Sequence, residues 1–392
     1  MSRQYNAQNQ FFGRDPLKDL DPAKVLADER RRCLSSLSFA TIDARRQDIA
    51  TAHQDTCEWI FEISQFQRWC DRSDLQSHNG VLWIKGKPGA GKSTLMKHIW
   101  QNGSQFFRDH VTVAYFFNAR GEKLEKTPLG MLRSITCQLL EHDLLYERFL
   151  PHFRDKEEKH ERWEWREAEL KEFLRLQAKT PQLQPLLIHI DALDECREAD
   201  VREVVGFLEE MSVCAVKANV TLDVCLSSRH YPTISMKKNL DLIVEEIDEH
   251  DCDIARYVHD KLRGQDKDIE AEVLRKAGGV FMWVVLVVAM LNEAYDEGKV
   301  EAMQQKLNEL PGDLEEVFDT LLHKDNPDKH ETICLLQWVL FAKQALRPEE
   351  LWKVGVGVQA TIVRRAVGKV AGIATPRDTL IKTLVICTST EG

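Results

Sequence analysis

The sequence predicts an α/β fold, a three-layer αβα arrangement in which a parallel sheet is covered by helices on both faces, followed by helical domains. Three observations carry this prediction. Short apolar runs rich in β-branched residues alternate with helical stretches, the pattern of parallel strands joined by helical crossovers. One run, "VLWIK", breaks into the glycine-rich turn "GKPGAGKST" and then into the helix-forming "LMKHIWQN". A second run, "LLIHID", finishes on Asp191, and ligands of open α/β sheets gather beyond the carboxyl ends of strands.

Taken in order, residues 1–45 are polar and charged, and "DERRRC" reads as a solvated helix or linker. From Asp43 to Trp69 the apolar residues Ile49, Trp59, Ile60, Ile63, Phe66 and Trp69 recur at helical spacing, which predicts a flanking helix. A nucleotide-type α/β domain is expected over 46–247, with strands at "VLWIK", "VTVAYFF", "PLLIHID", "VTLDVCLSS" and "LDLIVEE". The charged stretch "RDKEEKHERWEWREAELKEFLRL" offers Trp163, Leu170, Phe173 and Leu174 on one face and predicts a surface helix. Ile254, Tyr257, Val258 and Leu262 begin an α-helical region, expected over 248–327. A helix, a turn and a second helix opening on Pro348 are expected over 328–375, with a tail at 376–392.

Composition narrows the function. The 392 residues carry 53 Lys and Arg against 63 Asp and Glu, a net charge of -10, the wrong sign for a general nucleic-acid or anionic-membrane binder. Ten cysteines form no C-x-x-C pair and no cluster with zinc spacing, so they read as reduced thiols. The N-terminus lacks the apolar core of a secretory signal, and the apolar run from Val280 to Leu291 is too short to span a bilayer. A cytoplasmic protein without a membrane span is expected, with that run as a core helix. His323 and His330 read as surface residues without a role.

The chemistry concentrates at strand ends. Gly86, Lys87, Pro88, Gly89, Ala90, Gly91, Lys92 and Ser93 match G-x-x-x-x-G-K-[ST], with Thr94 following. The glycines let backbone N–H groups curl around phosphate oxygens, and the next helix turns its positive end toward the same charge. Lys92 would reach the β- and γ-phosphates, and Ser93 would place its hydroxyl on Mg²⁺. Asp191 is the expected second Mg²⁺ ligand, and Glu195 the candidate base for an attacking water, with Asp194 as its rival. The bland alternative for these acids is a core strand ending in a solvated turn. Arg229 in "CLSSRHYP" could sense or stabilise a γ-phosphate, or be a surface arginine in a loop.

Together "DARRQDIATAHQDTCEWIF", "GVLWIKGKPGAGKSTLMKH", "AYFFNARGEKLEKTPLGMLRSITCQLL", "HIDALDEC" and "CLSSRHYP" resemble the NACHT NTPases of fungal NOD-like, or STAND, proteins, also described as nephrocystin-like. The resemblance runs from about Arg32 to Trp352. It implies a P-loop NTPase domain, a helical lid and a winged helix, with ATP or ADP and Mg²⁺ as cofactors and protein partners or self-oligomers. It also implies an ADP-bound resting switch acting in fungal non-self recognition, a form of innate immunity linked to heterokaryon incompatibility and cell death. By position, Gly86 to Thr94 would be the Walker A loop, Asp191, Asp194 and Glu195 the Walker B region, and Arg229 the sensor arginine.

Family repeats are expected after the winged helix, whereas the sequence given reaches Gly392 without them and departs from the family pattern after Gly357. Two functions therefore stand beside each other. One is a signalling ATPase that hydrolyses ATP slowly to reset. The other is a non-catalytic, nucleotide-stabilised interaction platform, a truncated member of the group.

Overall fold

In a computed structural model the chain is described over residues 22–319, apart from 160–161, 182–183, 231–233, 265 and 297–299. The expected winged helix and tail lie outside the described residues, as do His323 and His330.

Five parallel strands, β1 (Val81–Lys85), β2 (Val111–Phe116), β3 (Leu186–Asp191), β4 (Leu222–Ser228) and β5 (Leu240–Ile243), form one sheet in the order β2-β3-β4-β1-β5. Every residue of β3 and β4 is buried, as in a sheet covered on both faces. Alternate side chains feed two separate cores. Val81, Trp83, Ile188, Ile190, Val224 and Leu226 face one, while Leu82, Ile84, Leu187 and Cys225 face the other. The first core is closed by helices including Pro128–Leu139, Glu167–Lys179 and Glu198–Ala218. The second is closed by Ser64–Cys70 and Lys92–Asn102.

The strand order fixes where a ligand can sit. From β1 the chain crosses to β2 at one edge, whereas from β4, which lies beside β1, it crosses to β5 on the opposite side. The two crossovers part at the carboxyl ends of β1 and β4, opening the crevice typical of a topological switch point.

Several elements differ from the sequence expectation. The segment from Asp43 to Trp69 is no single helix: it divides into Ala44–Asp48, a 3-10 turn Glu58–Phe61 and Ser64–Cys70. Asp55 and Cys57 interrupt it with φ of 56° and 69°, yet its spaced apolar residues from Ile49 to Trp69 are all buried. The charged stretch is two helices, Asp143–Lys159 and Glu167–Lys179, and Leu170, Phe173 and Leu174 are core residues rather than a surface stripe. β5 stops at Ile243, and Val244–Glu246 turns into a 3-10 helix. The helix Pro22–Leu37 is not merely solvated, because Cys33 and Leu37 are fully buried and Arg133 donates to the carbonyls of Ser36, Leu37 and Ser38.

Beyond the sheet, five helices from Asp248–Lys261 to Leu314–Asp319 bury a core of their own around Trp283, whose indole N–H donates to the Pro311 carbonyl at 2.9 Å. The apolar run expected as a core helix is Phe281–Asp296, and among the described residues no helix is long and apolar enough to cross a membrane.

Ile188, at the centre of β3, is 1% exposed. Ile188→Ala should cost about 2–5 kcal/mol of stability, read from urea unfolding followed by tryptophan fluorescence. A loss under about 1 kcal/mol would contradict the placement of β3 inside the sheet, between β2 and β4.

Candidate functional site

The glycine loop joins β1 to the helix Lys92–Asn102. Gly89 and Gly91 adopt φ of 77° and 96°, a region closed to most side chains. A Cβ at Gly86 would also come within 2.6 Å of Glu245 Oε2, so a side chain there would push the Glu245 carboxylate away from the loop. The Lys92 ammonium donates to the carbonyls of Gly86 and Lys87, both at 2.8 Å, which holds it over its own loop. Burial lowers the Lys92 pKa, Asp194 and Asp191 oppose that shift, and Arg229 adds to it. Lys92 therefore shares one electrostatic site with all three. The first N–H groups of an 11-residue helix, around Lys92, Ser93 and Thr94, have no intrahelical acceptor. They supply the partial positive charge that suits a phosphate. Lys87 and Pro88 form the exposed crest of the loop, and Ala90 anchors it in the core.

Asp191 ends β3 with no exposure at all. Ser227 Oγ donates to Asp191 Oδ1 and accepts the Ala192 N–H at 2.9 Å, so one hydroxyl ties the ends of β3 and β4 together. Ala192 takes a left-handed φ of 53°, a strained turn for a residue with a Cβ. Among the described residues Asp191 Oδ2 has no hydrogen-bond partner. Burial raises the Asp191 pKa, against the lowering influence of the Ser227 and Ser93 hydroxyls and of Arg45. A buried carboxylate oxygen without a donor, beside a serine hydroxyl, fits a hard cation. Mg²⁺ commonly takes one or two protein ligands and completes its shell with phosphate and water.

The two neighbouring acids have different partners. Asp194 accepts the Arg229 backbone N–H at 2.9 Å and pairs with its Nε at 3.0 Å, so Asp194 and Arg229 form a closed unit. Glu195 accepts the Ala119 N–H at 3.0 Å and lies 3.5 Å from Arg45 Nη2. Burial raises its pKa, partly offset by Arg45 and by the Ala119 bond. A carboxylate with a raised pKa has the proton affinity a general base needs.

Two residues at the site were not foreseen. Arg45, from the helix Ala44–Asp48, reaches Glu195 across 150 positions of sequence. Glu245, just past β5, accepts the Lys87 N–H at 3.2 Å and meets His230 Nε2 at 2.6 Å. The only sequence signal for Glu245 was its position at the end of a strand. Helical residues also touch the loop: Met282 N–H donates to the Gly89 carbonyl at 2.9 Å, and Lys87 Nζ to the Gly278 carbonyl at 3.2 Å. Beside Thr94 lies a cavity of about 170 Å³, lined in part by Thr51, Ala52, His53, Lys97, His98 and Gln101.

Sheet order, glycine loop and buried strand-end acid define this as a P-loop NTPase domain. The family described as nephrocystin 3, N-terminal, matches residues 55–229, which span the loop, Asp191 and Arg229. No curated protein matches the sequence. Among solved structures, Cdc6p from Pyrobaculum aerophilum is similar at 11% identity and a TM-score of 0.41, covering 88% of this chain and 97% of its own. A Walker-type ATPase of Pyrococcus abyssi is similar at 12% identity and 0.37, covering 85% and 97%. Drosophila ORC bound to DNA is similar at 14% and 0.41, covering 95% of this chain and 88% of that one. At such scores these likenesses carry no argument about function.

The raised pKa of Asp191 has a direct consequence. The folded chain holds this proton more tightly than the unfolded chain, so Asp191 favours folding below the ordinary carboxylate range and loses that contribution as pH rises through its raised value. In metal-free buffer, Asp191→Asn should therefore gain stability over the wild type as pH is raised from about 4 to about 7.5. Thermal unfolding measures the difference, and a gap independent of pH would contradict the environment described. Ser227→Ala, which strips both Asp191 and the Ala192 N–H of a partner, should cost about 1–3 kcal/mol, checked by urea unfolding.

Proposed function

We propose that the chain is a nucleotide-dependent signalling switch of the NACHT/STAND type. It binds ATP or ADP with Mg²⁺ on the 86–94 loop and hydrolyses ATP slowly. The observation that carries the reading is the buried Asp191 with one unpartnered oxygen, within electrostatic reach of Ser93 and Lys92 at the switch point of the sheet. Ser93 and Asp191 hold the metal, which supplies charge neutralisation to the phosphates. The backbone N–H groups of the loop and Lys92 hold the phosphates themselves. The nucleoside extends from Thr94 into the cavity walled by Thr51 to Thr56.

Glu195 activates the attacking water, and its engagement with Ala119 and Arg45 keeps turnover low, because those bonds must loosen before the carboxylate can take a proton. Asp194 positions Arg229, which senses the terminal phosphate. The helical region 248–327 is the lid, and its bonds to Gly89 and Lys87 give the loop's contents a route to the helices. In this reading the protein is cytoplasmic, works through protein partners or copies of itself, and serves fungal non-self recognition and cell death.

The second reading, a platform that binds nucleotide without turnover, draws on the same closed state of Glu195. Glu195→Gln separates the two. The variant should bind ATP like the wild type and lose about 100-fold or more in phosphate release, whereas no phosphate release from either protein would favour the platform. Lys92→Ala should weaken ATP binding by roughly 100-fold in a titration with Mg²⁺ present, and wild-type affinity would sink the loop assignment.

A further inference from the structure

The segment from His53 to Trp59 stands between two parts of the molecule. On one side residues 51–56 and Glu58 line the cavity beside Thr94. On the other, the helix Asp248–Lys261 presents His250, Asp253, Arg256, Tyr257 and Asp260, residues three or four apart and therefore on one face. This face grips the segment at several points. Asp253, 6% exposed, accepts both the Cys57 N–H at 2.7 Å and the Trp59 indole N–H at 2.9 Å on a single oxygen. Arg256 donates to the Asp55 carbonyl, His53 meets Asp260 at 3.0 Å, and the His53 and Tyr257 rings pack edge to face.

The backbone confirms that the segment is held in an unusual shape. Asp55 and Cys57 both lie in the left-handed region, which aspartate tolerates in turns and cysteine seldom enters. A left-handed turn of this kind persists where its surroundings over-determine it. Here the surroundings are the Asp253 carboxylate and the Arg256 guanidinium, both contributed by the helical region. His250, on the same helix face, also meets the Gly279 carbonyl at 3.1 Å, next to the turn that contacts the glycine loop.

We propose that Asp253 is a positioning residue that shapes the nucleoside cavity from the far side of its wall, so that the grip of the helix Asp248–Lys261 on residues 53–59 sets how long a nucleotide stays bound. The inference rests on the nucleotide reading above. Breaking the Asp253 bonds frees Cys57 and Trp59 to leave their present positions, and the cavity wall relaxes while the phosphate loop keeps its own bonds. Nucleotide contacts made through the base and ribose weaken, and those made through the phosphates do not.

The test compares two probes on the full chain with Mg²⁺: an N-methylanthraniloyl derivative of ADP, followed by its fluorescence on release, and inorganic pyrophosphate, which reads the loop alone. Asp253→Ala should speed release of the ADP derivative by about tenfold, the loss of one charge-assisted hydrogen-bond set, with pyrophosphate affinity unchanged. Asp253→Asn, which retains an acceptor oxygen, should recover most of the wild-type rate. If Asp253→Ala does not fold by circular dichroism, Arg256→Ala decides in its place, with release faster by roughly two- to threefold. An unchanged release rate in the folded variant overturns the inference and leaves the nucleotide reading standing. Equal weakening of both probes also overturns it, because the damage would then reach the loop. A wild-type chain that binds neither probe overturns the nucleotide reading and this inference with it.

Discussion

One hydroxyl, Ser227 Oγ, donates to the buried Asp191 carboxylate and accepts the backbone N–H of Ala192. Around that pair of bonds the site is assembled. Asp191 belongs to β3 and Ser227 to β4, while the glycine loop leaves β1 on the other side of β4. With β4 between them, the loop and the acid stand apart by one strand, and Ser227 bridges part of that gap. The cost is a fully buried carboxylate with one oxygen unpartnered and a raised pKa. Such a group is unfavourable in a resting core and becomes favourable once a cation is nearby.

The same economy of partners explains why neighbouring acids are not equivalent. Asp194 spends its oxygens on Arg229, backbone and side chain, and so fixes the loop after β4. Glu195, one residue later, turns to the loop after β2 and to Arg45. Three acids within five positions thus take three different sets of partners, two at the end of β4 and one past the end of β2. A single left-handed residue, Ala192, makes the change of direction possible at the outset.

Much of this was legible in the sequence, and the limits are physical. The glycine loop could be read because its spacing encodes a local backbone path, and the strands because buried parallel strands are continuous apolar runs. Asp191 could be read as a strand-end acid. Arg45, Glu245 and Asp253 could not, since they reach their partners across 150, 158 and 196 positions through tertiary packing alone. Nor could the break between Asp48 and Glu58 be read. No glycine or proline marks it, and Asp55 and Cys57 hold their left-handed φ through bonds to a distant helix. The depth of Leu170, Phe173 and Leu174 was hidden by the charge around them, which solvates the other side of the same helices.

The central claim is that the crevice at the ends of β1, β3 and β4 holds a nucleotide phosphate together with Mg²⁺. The most direct measurement is to purify the chain without added nucleotide, denature it, and identify what is released by chromatography, alongside calorimetric titration of the folded protein with ADP in the presence and absence of Mg²⁺. The account predicts adenine nucleotide in the released fraction or saturable binding at one site that Mg²⁺ strengthens. A folded chain that releases nothing and shows no heat with ADP under either condition would contradict it.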